Sequence, residues 1–141
     1  MTIGISNNPD APVATQAEVG ITIATGSEVI SGSTRLKAGT AQKIVLNTLS
    51  SAIMVRLHRV HGSLMVDLRA TNAKLQRRAV ALAMRVTGAD EATARRTLAA
   101  SQYRVKVAIV AIMRKIDVPA AEAALDAVDG SVRQALAGGG R

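Results

Sequence analysis

Apolar positions along the chain follow two kinds of pattern. Near the start they come in short β-branched runs. Residues 2–6, Thr-Ile-Gly-Ile-Ser, make one such run and stop at Asn7-Asn8-Pro9-Asp10, residue types that favour turns. Residues 19–25, Val-Gly-Ile-Thr-Ile-Ala-Thr, make another, which ends at Gly26. Residues 13–17 leave room for one or two helical turns between them, so the pattern predicts a strand, short helix, strand unit of parallel type. Parallel sheets normally have several strands and helices on both faces. Two strands beginning at the second residue of the chain therefore need the rest of their sheet from elsewhere.

From residue 33 to about residue 60 the period changes. Leu36, Ile44, Val45, Leu46, Leu49, Ile53, Met54 and Leu57 recur at spacings of three and four, as on a helix. Gly39 interrupts this run, at a cost near 1 kcal/mol relative to alanine. Either the helix starts after it or something packs closely against the backbone there. His61-Gly62 is expected to end the segment, and residues 63–69, Ser-Leu-Met-Val-Asp-Leu-Arg, read as an extended linker or a third strand. Thr71 or Asn72 then caps a helix running to about Thr87, with Gly88 as its stop.

Beyond Gly88 the helices become alanine-rich and an internal repeat emerges. Ala94, Leu98, Ala100, Val105, Ala108 and Ile109 match Ala121, Leu125, Ala127, Val132, Ala135 and Leu136 at a constant offset of 27 residues. Each copy reads as a short helix, a tight turn and a second helix. Asp129-Gly130-Ser131 supplies good turn and cap chemistry for the second copy. Gln102-Tyr103-Arg104 does not do so for the first. The closing Gly138-Gly139-Gly140-Arg141 reads as a frayed end.

Composition narrows the chemistry. Hydrophobic residues make up 48% of the chain but aromatic ones only 1%, so the core must be built from Ala, Val, Ile, Leu and Met. The absence of cysteine rules out disulfides and thiolate metal sites. No run approaches the ~18 apolar residues of a membrane span, and no signal-peptide pattern opens the chain. A soluble, cytoplasmic protein without membrane association is expected. The net charge of +8 favours anionic partners. Its sources, among them Arg56, Arg59, Lys74, Arg77, Arg95 and Arg114, are spread along helices without aromatic interleaving. That spacing fits a solvated surface better than a nucleic-acid face.

The most informative stretch is Gly26-Ser27-Glu28-Val29-Ile30-Ser31-Gly32-Ser33-Thr34-Arg35-Leu36-Lys37-Ala38-Gly39-Thr40-Ala41-Gln42-Lys43. A strand ends in a Gly- and Ser-rich loop that opens a helix bearing Arg35 and Lys37. Backbone N–H groups at such a helix start, with hydroxyls beside them, suit a phosphate. Alternatively Ser31, Ser33 or Thr34 only caps the helix, with Arg35 and Lys37 solvated. Glu28, the carboxylate beside this loop, is placed to stabilise the positive end of the following helix. His58 and His61, three apart, suggest a metal site, but no third ligand lies near them.

This stretch resembles the signature shared by N-acetylmuramic acid 6-phosphate etherases and the glucokinase regulatory protein, both built on sugar isomerase (SIS) domains. The resemblance continues through Asn47 and Leu49, through Gly62-Ser63-Leu64-Met65-Val66-Asp67-Leu68-Arg69-Ala70-Thr71-Asn72-Ala73-Lys74-Leu75, and into Val105-Lys106-Val107-Ala108-Ile109. The opening Thr2-Ile3-Gly4-Ile5-Ser6-Asn7-Asn8 also looks like the etherases. Departures fall at Ser27, where the family usually has proline, at Ser63, where it has asparagine, and at Gln102-Tyr103-Arg104, where it has a glycine-containing turn. His58 and His61 also stand where the family tends to have other residues.

The resemblance implies an α/β fold: the C-terminal part of a SIS-type doubly wound parallel sheet over residues 1–70, followed by a small all-α bundle over residues 71–141. It implies a lyase that cleaves the lactyl ether of N-acetylmuramic acid 6-phosphate by elimination and then hydration, without cofactor or metal. It places Ser31, Ser33, Thr34 and Lys37 at the sugar phosphate, and it gives Glu28 a second reading beside helix-end stabilisation, that of facing the sugar and assisting proton transfer. The two glutamates expected to act as acid and base belong to the preceding half of a SIS domain, which this sequence does not contain. A truncated or split enzyme is thus expected, partnered by the missing half or by a second copy in a homodimer. A non-catalytic sugar-phosphate sensor is the alternative, and a nucleic-acid-binding module a more distant one.

Overall fold

The computed structural model describes residues 1–68 and 70–138. Arg69, and most of the terminal segment read as frayed, lie outside the described residues. The chain is mixed α/β: β1 (Ile3–Ser6), α1 (Pro12–Thr15), β2 (Val19–Thr22), α2 (Lys37–Arg56), β3 (Val60–His61), β4 (Leu64–Met65), α3 (Ala73–Thr87), α4 (Glu91–Ala100), α5 (Val105–Arg114), α6 (Val118–Asp126) and α7 (Val132–Leu136). It divides into two compact units between Ile53 and Met54, within α2.

In the first unit β1 and β2 pair in parallel, with Ile3 opposite Val19 and Ser6 opposite Thr22. Helix α1 makes the crossover, starting with proline in its first turn, where the missing N–H costs no bond. Glycines let α1 lie directly on the strands. A Cβ on Gly4 would sit 1.7 Å from the Val13 carbonyl oxygen, and one on Gly20 would sit 2.5 Å from that of Ala14. β2 stops three residues earlier than its β-branched run because β1 has turned away beyond Ser6, where Asp10 takes φ 58°.

Helix α2 is shorter at both ends than its period suggests. At the start, Ser33 and Thr34 form turns, with the Leu36 N–H donating to Ser33 and the Gly39 N–H to Thr34. Gly39 lies inside the first turn, and a Cβ there would meet only the Thr34 oxygen at 3.4 Å. At the end, His58 adopts φ 54° and the Arg59 N–H donates back to Met54 at 3.0 Å, a left-handed stop of the Schellman type. His61-Gly62 is therefore not the helix stop. It belongs to a hairpin in which Val60 faces Met65 and His61 faces Leu64. Gly62, at φ 58°, takes the first of two turn positions, where a II′-type turn favours glycine. The segment after Ser63 thus includes a short strand, antiparallel to Val60–His61 in a sheet of their own.

In the second unit α5 is the central helix, packing against α3, α4, α6 and α7. Its Val105, Val107, Ala108, Ile109, Val110 and Ala111 are buried. Ala79, Val80 and Ala83 of α3 complete one side, and Val66, just beyond β4, is fully buried in the same cluster. The hairpin segment is thus grouped by compactness with the helices that follow it. Short side chains such as Ala79, Ala94, Ala108 and Ala121 let the axes approach closely in the absence of aromatic packing.

The repeat is real in three dimensions. α4 and α6 start 27 residues apart, as do α5 and α7. Ala94, Leu98, Val105 and Ala108 are buried, and so are Ala121, Leu125, Val132 and Ala135. Ala100 and Ala127 are exposed and take no part in the core. The two inter-helix turns also match: Gln102 and Tyr103 have φ 51° and 56°, Asp129 and Gly130 φ 50° and 75°. The Tyr103 N–H donates to Leu98 and the Gly130 N–H to Leu125. The first copy makes its glycine-type turn without glycine. Asn72, Asp90, Asp117 and Ser131 each cap a helix with a side-chain oxygen.

Candidate functional site

The parallel unit fixes where a site can form. In open parallel sheets ligands bind beyond the C-terminal ends of the strands, where the loops splay apart. Here that edge carries Ser6, Asn7 and Asn8 after β1, and Thr25 and Gly26 after β2. They line a cleft of about 340 Å³ with Ile5, Val13, Glu28 and Thr34, closed by Ala38, Gly39 and Gln42 from the first turns of α2.

Glu28 holds this corner together. Its Oε2 accepts the Lys37 N–H at 2.8 Å and its Oε1 accepts the Ala38 N–H at 3.0 Å. A carboxylate nine residues upstream thus occupies the positive end of α2. Of the two readings of Glu28, capping is the one made by observed bonds. Those donors, from Ala38 first and Lys37 second, hold its carboxyl below the usual glutamate range, with the Lys37 charge adding to them against a desolvation that opposes them. Glu28 is therefore ionised near neutral pH and is a weak base. Each oxygen keeps a second lone pair, but the two N–H donors lower the basicity with which it could accept a proton.

The first backbone donors of α2 are consequently taken. Lys37 and Ala38 give theirs to Glu28, Gly39 to Thr34 and Thr40 to Leu36. An anion at this corner would be held by side chains instead. Thr34 lines the cleft, and the Lys37 ammonium comes within 4.0 Å of the Cβ position on Gly26 at its rim. Ser31 and Ser33 are not brought into the cleft lining. The Ser33 N–H donates to Ile30 and its carbonyl accepts from Leu36, which shapes the loop before the helix.

Two cleft residues that the sequence reading quoted were given no site role by it. Asn7 donates from Nδ2 to the Ile23 carbonyl at 3.2 Å, tying the two strand ends together, and its Oδ1 is buried without a partner. Gln42 enters from the second turn of α2. Asn7 was visible as a turn former and as part of the etherase-like opening, without a site role. The strand-end rule would have found it once the strands were paired. The Ser6 hydroxyl, also on the lining, exchanges bonds with the backbone of Asn8.

Comparison with known proteins places this corner in context. The sequence is 52% identical over 141 residues to an N-acetylmuramic acid 6-phosphate etherase of Deinococcus radiodurans, a match covering 99% of this chain and 46% of that protein. An etherase of Streptomyces avermitilis is 47% identical over 137 residues, covering 97% of this chain and 44% of the relative. The chain is a homologue of these etherases. It spans about half the length of the relatives it matches and corresponds to their C-terminal part. Residues 62–124, from the hairpin turn into α6, also match the family model of the C-terminal lid domain of glucokinase regulatory protein. Among the described residues no helix is long and apolar enough to cross a membrane.

Proposed function

We propose that this chain acts as the C-terminal half of an N-acetylmuramic acid 6-phosphate etherase, with the cleft beyond β1 and β2 as its share of a sugar-phosphate site. The observation that carries this reading is a match to etherases running over 99% of the chain. In this reading β1, α1 and β2 belong to a doubly wound SIS-type sheet that the other half completes, in a cytoplasmic homodimer. Residues 1–70 form the sheet part and residues 71–141 the helical module.

The chemistry is an elimination followed by hydration. A base takes the proton next to the ring-opened aldehyde, the ether C–O bond breaks as an acid protonates its oxygen, and D-lactate leaves. Water then adds to the double bond to give N-acetylglucosamine 6-phosphate. The acid and base are assigned to the other half. On this chain Thr34 and Lys37 contact the phosphosugar, Ser31 and Ser33 shape the loop that presents them, and Glu28 fixes the start of α2.

The test is a coupled D-lactate assay. The purified chain alone is expected to release no lactate from N-acetylmuramic acid 6-phosphate. Mixed with the N-terminal half of the Deinococcus radiodurans relative, it is expected to restore turnover, and Lys37→Ala is expected to weaken substrate binding in that mixture. Turnover by the chain alone would move the acid-base work to these residues. The match to the lid domain of a regulatory protein favours one second reading, a sugar-phosphate sensor, for which the mixture would bind the phosphosugar without releasing lactate.

A further inference from the structure

A second cleft, of about 470 Å³, lies within the helical unit and gathers basic groups. Arg56 closes α2, and the left-handed turn at His58 reverses the chain into β3, which brings His61 back beside it. Arg133, on the first turn of α7, completes the set. Val55, Val60 and Val132 supply the apolar part of the lining, Val132 being 3% exposed and part of the helical core, and Gln134 adds a neutral polar side chain, while the Ser131 hydroxyl already caps α7. No acidic side chain lines it. Among the described residues the ion pairs involve none of these four basic groups, while Arg59, next to His58, is engaged by Asp67 at 2.8 Å.

Two guanidiniums without ion-pair partners on one concavity of small-molecule size give it a positive character that favours an anion. Guanidinium forks match phosphate oxygens, and each imidazole adds at least one N–H donor. A cation is disfavoured here, because two imidazoles are too few ligands and two fixed positive charges oppose it. The resemblance to etherases lapses at both histidines, so this cleft is not explained by the reading of the chain as half an etherase. We propose that the cleft binds a small phosphomonoester, its phosphoryl group held by Arg56 and Arg133 with help from His58 and His61, and its organic part against the three valines.

Isotope-labelled full-length chain, titrated near neutral pH with phenyl phosphate, inorganic phosphate and a single-stranded oligonucleotide, provides the test. Phenyl phosphate is expected to shift the amides of residues 55–61 and 131–134 and to bind more tightly than inorganic phosphate. Arg133→Gln and, separately, Arg56→Gln change exposed side chains and are expected to weaken that binding about tenfold with unfolding midpoints unchanged. The proposal is overturned if neither segment shifts, if both variants bind as the parent does, or if inorganic phosphate binds as tightly as phenyl phosphate. It is also overturned if only the oligonucleotide shifts these segments, which would make the cleft part of a polyanion surface.

Discussion

In the helical unit Leu98, Val105, Ile109 and Val110 are withdrawn from water almost completely, whereas among the described residues of the first unit the only buried hydrophobic side chain is that of Ala14. Helix α2 makes the contrast sharper. It is the longest helix and rich in aliphatic side chains, yet none of its residues is buried, and Ile44 and Leu46 are 60% and 56% exposed. Val29 and Ile30 in the loop before it are exposed as well. One region satisfies its own apolar pattern. The other displays one that needs a further surface to cover it, as the proposal of a second enzyme half requires.

The largest expected effect sets the two regions directly against each other. Leu98→Ala should cost about 2–5 kcal/mol, because it opens a cavity in a core that cannot easily collapse. Leu46→Ala on exposed α2 should change stability by less than about 0.5 kcal/mol. Chemical denaturation of both variants checks this pair, and a comparable loss for Leu46→Ala would mean that α2 is covered after all. Gly4→Ala should cost roughly 1–3 kcal/mol or more, since its methyl meets the Val13 carbonyl and neither backbone can yield cheaply. Near-native circular dichroism from α3–α7 alongside loss of the β1–β2 amide signals would show that the damage stays in the first unit.

A smaller gain is expected from Gln102→Gly. The side chain is exposed and its backbone is left-handed, so glycine should stabilise the helical unit by about 0.5–1 kcal/mol, measurable as a raised denaturation midpoint. The smallest effect concerns acid. Asp90, like Glu28, is held below the ordinary carboxylate range, by the Thr93 N–H first and the Thr93 hydroxyl second. A depressed folded-state value means that each cap contributes above the unfolded-state value and is lost as the pH falls through the folded-state one. Glu28→Gln should flatten the acid limb of the first unit and Asp90→Asn that of the second, followed by residue-resolved NMR between about pH 6 and pH 2.

Much of this contrast was legible in the residues. The parallel β1–α1–β2 unit followed from two β-branched runs around a short helix-sized gap. Asn72 announced its cap, and the 27-residue offset placed four helices and their buried faces. What escaped depends on contacts that no local pattern encodes. The hairpin strands are two residues each, too short for alternation to register. Glu28 at the positive end of α2 was one of the two readings of the sequence, but only the fold of the nine-residue loop shows which backbone donors it takes. The Gln102-Tyr103 turn is imposed by packing rather than by turn chemistry. In the site, Thr34 and Glu28, both singled out in the sequence, line the cleft. Asn7 and Gln42 reached it only through the pairing of distant strands and the turn of α2.

The most direct measurement is amide hydrogen exchange on the purified chain, alone and with the N-terminal half of an etherase relative added. Strong protection in α3–α7 is expected in both samples, because that core is complete within the chain. Weak protection of β1, β2 and the first half of α2 is expected alone, with a marked rise when the other half is added. Equal protection throughout in a chain shown to be monomeric, unchanged by the addition, would contradict the view that residues 1–53 are built to be completed by a partner.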